Sequence, residues 1–142
     1  MTAPVRAAIA LGSNLDDPEA HVRRAMDEID VLPSTRVLAR SSLFRTTPVG
    51  YADQPDFINA CVLVETSLAP RKLLDALLAL EQRHGRRREI PNGPRTLDLD
   101  IVVYGDARID EPGLKVPHPR ARERAFVLDP LREVWPDAVR QL

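Results

Sequence analysis

Gly93-Pro94-Arg95-Thr96-Leu97-Asp98-Leu99-Asp100-Ile101-Val102-Val103-Tyr104 opens as a loop and turns into a strand. Leu97, Leu99, Ile101 and Val103 alternate onto one face, and Asp98 and Asp100 onto the other. An apolar strand face needs a cover of helices. The opposite face carries two carboxylates about 7 Å apart, which raise one another's pKa unless a cation intervenes. Hard divalent cations such as Mg2+ take carboxylate oxygens and leave positions open for phosphate. Just upstream lie Arg86, Arg87, Arg88 and Arg95, whose planar forks suit phosphate oxygens. Taken alone, the acids fit a solvated strand face and the arginines a solvated helix end. Side by side, they suggest a metal-assisted phosphate site.

Working outward, 142 residues are enough for one domain, residues 1–142, with a core that needs no staples. A composition 44% hydrophobic and 29% charged is that of a soluble globular chain. The net charge of -1 gives no nucleic-acid footprint. No run approaches the 18 or so apolar residues of a membrane span, and residues 1–4 lead directly toward a strand without a signal-peptide pattern. The single cysteine, Cys61 in an apolar strand, excludes an internal disulfide and reads as a small core residue. The expectation is a cytoplasmic, monomeric protein with neither nucleic-acid nor membrane partners.

Residues 5–11 (VRAAIAL) read as a buried strand ending in a turn at Gly12-Ser13-Asn14. Asp16 or Asp17 then caps a helix with Pro18 at its first position and Val22, Ala25, Met26 and Ile29 as its apolar stripe. His21 falls off that stripe and reads as a surface residue. Residues 37–45 form a second strand, 46–56 a long loop, and 57–66 a third strand. Thr66 or Ser67 opens the next helix and Gly85 closes it. Leu73, Leu74, Leu77, Leu78 and Leu80 supply its buried side, and Glu81 shares that face, so either the face turns outward there or Glu81 holds something. His84, next to the helix end, reads as structural. After Tyr104 the chain reads as irregular, with a helical turn or two between Arg122 and Leu128 and a short C-terminal extension. The order strand, helix, strand, strand, helix, strand predicts an α+β, ferredoxin-like βαββαβ fold. Its antiparallel sheet has helices on one face and leaves the other free for loops and ligand.

Several segments resemble the 6-hydroxymethyl-7,8-dihydropterin pyrophosphokinase family. They are ALGSNL (10–15), SSLFRTTPVGY (41–51), DQPDFINA (53–60), ETSLAP (65–70), GPRTLDLDI (93–101), VPHPR (116–120) and, from 123 to 131, ERAFVL-x-PL. They cover most of the chain in family order. The resemblance implies transfer of diphosphate from the co-substrate ATP to the hydroxymethyl group of 6-hydroxymethyl-7,8-dihydropterin, releasing AMP, in folate biosynthesis. It further implies that Asp98 and Asp100 hold two Mg2+ ions, and that Arg86, Arg88 and Arg95 belong to a loop that meets the phosphates. Arg86 and Arg95 are placed with the two acids as catalytic residues. Glu81, Ile101, His118 and Arg124 match the ATP site. Thr46, Thr47, Val49, Phe57, Asn59 and Phe126 match the pterin site, where the two phenyl rings would sandwich the flat heterocycle and Asn59 would read its polar edge.

The chain departs from the family where Pro91-Asn92 stands in place of an Arg-Trp pair, where Phe57 replaces a common tyrosine, and where Thr47 replaces a usual proline. Two alternatives to the enzyme are a degenerate relative that binds nucleotide without transfer, and a ferredoxin-like ligand-binding module. Aromatic residues at 4% and the negative net charge argue against an RNA-binding sheet. The intact acid pair argues against degeneracy.

Overall fold

A computed structural model describes residues 3–48, 53–85 and 96–142. The elements, in chain order, are β1 (Val5–Ser13), α1 (Pro18–Asp30), β2 (Thr35–Arg40), β3 (Phe44–Thr46), β4 (Phe57–Thr66), α2 (Pro70–Arg83), β5 (Asp98–Tyr104), β6 (Ile109–Glu111), β7 (Leu114–Val116) and α3 (Ala125–Val134). Short helical turns cover Ala121–Glu123 and Pro136–Gln141. The main sheet runs β2-β4-β1-β5, with β3 pairing β4 beyond the end of β2, and every pairing is antiparallel. This is the strand order of the expected split βαβ arrangement.

One sheet face is covered by α1 and α2. Ala7, Ile9 and Leu11 of β1, alternate residues of β4, and Leu97, Leu99 and Ile101 pack there against Val22, Ala25, Met26 and Ile29 and against Leu73, Leu77 and Leu80. Against expectation, the opposite face is not left free. α3 and the final turn lie on it, burying Val127, Leu131, Val134 and Ala138 against Ala8, Cys61, Leu63, Val102 and Val103. Among the described residues the sheet is therefore sandwiched along part of its length, and the ends of β1, β4 and β5 stay open on that side.

Several local expectations are corrected. β1 runs through Gly12 and Ser13 instead of turning there. Asp16 and Asp17 take positive φ of 54° and 65°, which a short polar side chain tolerates, and the Asp17 side chain makes no capping bond. Thr66 ends β4, and α2 starts at Pro70 after Ala69. His21 is buried rather than on the surface. The second strand is broken at 41–43, where Ser41 turns inward and its Oγ accepts the Cys61 N–H at 2.8 Å. A one-residue irregularity between Ala8 and Ile9 leaves Val102 of β5 unpaired. Val103 therefore joins Val102 under α3, away from the face of Leu99 and Ile101. The irregular tail contains a β6–β7 hairpin, turned at Gly113 with φ 75°, and α3 continues through Pro130.

Candidate functional site

The open part of the second face is built in cross-strand rows. Asn59 of β4, Gly12 of β1 and Asp98 of β5 lie side by side, and the next row is Cys61, Ala10 and Asp100. Small residues on the central strand keep the floor low between the larger flanking side chains. At Gly12 the requirement is steric, because an added Cβ would stand 2.9 Å from Asn59 Oδ1. The Asn59 amide lies across the glycine, and its Nδ2 donates to Thr46 Oγ1 at 2.6 Å. Thr46 itself pairs with Phe57, so the end of β3 brings a hydroxyl and a phenyl ring to one rim.

The opposite rim comes from the C-terminal part of the chain. The His118 N–H donates to the Val102 carbonyl at 2.9 Å, docking the segment beside β5. Arg124 and Phe126 stand at the start of α3, with the guanidinium 5.5 Å from the phenyl centroid. Together these walls enclose a cleft of about 200 Å³ lined by Thr46, Thr47, Phe57, Asn59, Asp98, Asp100, His118, Arg124 and Phe126, over a floor of Ala10, Leu11 and Gly12. Nine of the residues named from sequence thus meet in one place. A second cleft, lined by Leu74, Ile101, Leu114 and Lys115 among others, adjoins the first, and Asp100 and His118 line both. Burial, then the nearby Arg124, pushes the His118 imidazole below its ordinary pKa, against the opposing pull of Asp98.

Glu81 lines neither cleft. It is buried on α2, where its carboxylate accepts the Leu99 N–H at 2.7 Å. Among the described residues β5 pairs with β1 on one side only, and Glu81 supplies an acceptor on the other side, between the two aspartates. Val49, Arg86, Arg88 and Arg95 lie outside the described residues. Sequence reasoning missed the floor residues Ala10 and Gly12, whose signal was their smallness at alternate positions of a strand. It also missed Lys115, Leu114 and Leu74 as cleft residues: Leu74 reads only as part of the apolar side of α2, and the hairpin that places the other two lies in a stretch that reads as irregular.

Asp98 and Asp100 are half-buried and open to the same cleft. Among the described residues no group of three His, Cys, Asp or Glu side chains forms a protein cage for a metal. Two carboxylates with room for water and phosphate fit Mg2+, which binds through one or two carboxylates and takes its remaining ligands from elsewhere.

A sequence profile of the 7,8-dihydro-6-hydroxymethylpterin-pyrophosphokinase family matches residues 8–136. The chain belongs to this family. It is similar to the 2-amino-4-hydroxy-6-hydroxymethyldihydropteridine pyrophosphokinase of Pseudomonas aeruginosa, with 49% identity over 93% of this chain and 82% of the relative. The Bacillus subtilis protein of the same name is 45% identical over 90% of this chain and 77% of its own length. The folic acid synthesis protein fol1 of Schizosaccharomyces pombe is 40% identical over 94% of this chain, a match that takes up 18% of that much longer protein. Among the described residues no helix is long and apolar enough to cross a membrane.

Proposed function

We propose that this chain transfers diphosphate from ATP to the hydroxymethyl group of 6-hydroxymethyl-7,8-dihydropterin, releasing AMP, as a cytoplasmic, monomeric enzyme of folate biosynthesis. The observation that carries the reading is the pair of adjoining clefts with Asp100 and His118 on their common wall. One cleft, walled by Phe57 and Phe126 with Asn59 at its base, suits a flat heterocycle. The other, with Leu74, Ile101 and Leu114, suits the apolar part of a nucleotide. Where they meet, a phosphate chain from one substrate comes within reach of the alcohol of the other.

Thr46 occupies one N–H of the Asn59 amide and so fixes which way it points. Oδ1, lying over Gly12, is left as an acceptor for the amino or ring N–H groups of the pterin. Phe57 and Phe126, on opposite rims, hold the ring between them with its polar edge toward Asn59. Asp98 and Asp100 would hold Mg2+, two ions in this reading, which when bound neutralises phosphate charge and lowers the pKa of the pterin hydroxyl. His118, its pKa lowered by burial and then by Arg124, can donate a hydrogen bond to a phosphate oxygen. Arg124 brings a permanent positive charge to the same rim, and Arg86, Arg88 and Arg95 would add theirs as charge develops on the leaving AMP. Glu81 acts through the backbone of Leu99 and steadies the strand from which both acids project.

The test is AMP release from ATP and Mg2+ with and without 6-hydroxymethyl-7,8-dihydropterin. Pterin-dependent AMP is the expected product. ADP, or AMP formed at the same rate without pterin, would overturn the reading.

A further inference from the structure

Away from both clefts, three ionisable side chains form a line between α1 and α2. His21 Nδ1 lies 2.7 Å from His84 Nδ1, and His84 Nε2 lies 2.5 Å from Glu28 Oε1. The His84 side chain is 1% exposed and that of Glu28 27% exposed, so the line runs from the helix interface out to solvent. The two imidazole centroids are 5.0 Å apart, with planes tilted by 56°. This is in-plane hydrogen-bond geometry, not stacking.

The protons can be placed from these contacts. Glu28 accepts, so His84 donates from Nε2 and its Nδ1 is bare when the ring is neutral. His21 must then donate from Nδ1. One added proton is tolerated: it sits on His84 Nδ1, the His84 cation lies against the Glu28 carboxylate, and His21 changes tautomer to accept. A second proton is not tolerated, because two N–H groups would face each other across 2.7 Å. The surroundings of His21 do not relieve this. Arg24 adds positive charge from α1, Asp16 and Asp17 before that helix pull the other way, and burial, the largest influence, disfavours a charged His21.

We propose that His21, His84 and Glu28 form a proton-limited clasp that joins α1 to α2 while the histidine pair carries no more than one extra proton, and opens when both rings are charged. His84 also caps α2, its N–H donating to Leu80 and Glu81. Opening therefore frees the last turn of α2 from α1. The linkage follows from counting protons. Two free histidines in the unfolded chain each take up a proton below about pH 6.5, whereas the closed clasp takes one. The unfolded state binds more protons at acid pH, so stability is present above about pH 6.5 and is lost as the pH falls. Burial, the largest influence on His21, lowers its pKa and acts in the same direction.

The experiment is urea unfolding of the full chain from pH 8 to pH 5, beside His84→Gln. Glutamine keeps an acceptor for His21 and a donor for Glu28 but cannot charge. The wild-type unfolding constant should be flat above pH 7 and rise by about tenfold per pH unit at the acid end, and most of that rise should vanish in H84Q. Equal acid slopes in the two proteins would overturn the clasp. Should H84Q fail to fold, nitrogen-15 NMR of the wild-type rings decides the matter. At pH 7.5 the expected result is a proton on Nε2 of His84 and on Nδ1 of His21. Two rings titrating independently near 6.5 in a fully folded chain would overturn it.

Discussion

Gly12→Ala tests the floor of the cleft. The new methyl carbon would stand 2.9 Å from Asn59 Oδ1, where ordinary contact begins at 3.4 Å, so something must give by about 0.5 Å. Gly12 lies mid-sheet, paired to both Asn59 and Asp98, and its backbone is the less mobile partner. The amide moves instead, stretching its 2.6 Å bond to Thr46 and turning Oδ1 away from the position proposed to meet the pterin. Losing one such hydrogen bond, with a ligand N–H left unsatisfied, costs about 1–2 kcal/mol, or five- to thirtyfold in affinity. Isothermal titration with the pterin in the presence of a non-hydrolysable ATP analogue should show that loss, while the analogue alone binds within about twofold of wild type. Urea unfolding run in parallel separates the effect from misfolding. A folded G12A protein whose pterin affinity is unchanged would refute both the steric argument and the assignment of Asn59.

Asp98→Ala should fold, because the side chain is half-buried on the open face, and should lose at least about a hundredfold in turnover; undiminished turnover would remove the metal role. Phe126→Ala should weaken pterin binding by about 1–3 kcal/mol of lost stacking and ATP binding far less, and equal losses measured by titration would discredit the sandwich. The Cys61 thiol, pushed up to about 12 by burial, should ignore a thiol reagent at pH 8 until denaturant is added. Rapid colour formation with the folded protein would show that α3 does not seal that face.

The sheet was legible because its strands alternate or run apolar and its helices carry one stripe each, and both periods survive without any knowledge of partners. The errors share a cause. Ser41 reads as an ordinary strand residue until its hydroxyl is seen to accept a backbone N–H of β4. Val103 reads as a partner of Ile101 until an unpaired residue shifts the alternation. His21 falls off the stripe of α1, yet it is buried by meeting His84 of another helix. Each is a pairing between segments far apart in the chain, on which local pattern carries no information. The site was legible to the extent that its residues are chemically conspicuous. Aspartates, phenyl rings and an asparagine announce themselves, whereas Gly12 and Ala10 matter for what they lack. Glu81 was conspicuous as a carboxylate on an apolar face, but only the geometry places it on the Leu99 N–H.

The unpaired Val102 makes β5 a strand of two halves with opposite allegiances. Before it, Asp98 and Asp100 face the cleft while Leu99 and Ile101 face α2; after it, Val103 turns toward α3 and the Tyr104 hydroxyl reaches the Leu68 carbonyl at 2.6 Å. The same seven residues paired without that irregularity would carry the same carboxylates in the same order, yet they could satisfy only one half at a time. Seating the tyrosine would drive both acids into hydrocarbon. The place where the ladder slips is therefore as much a part of the chemistry as the acids themselves, and a homologue shortened by one residue here should pair regularly with β1 and keep both acids in the cleft.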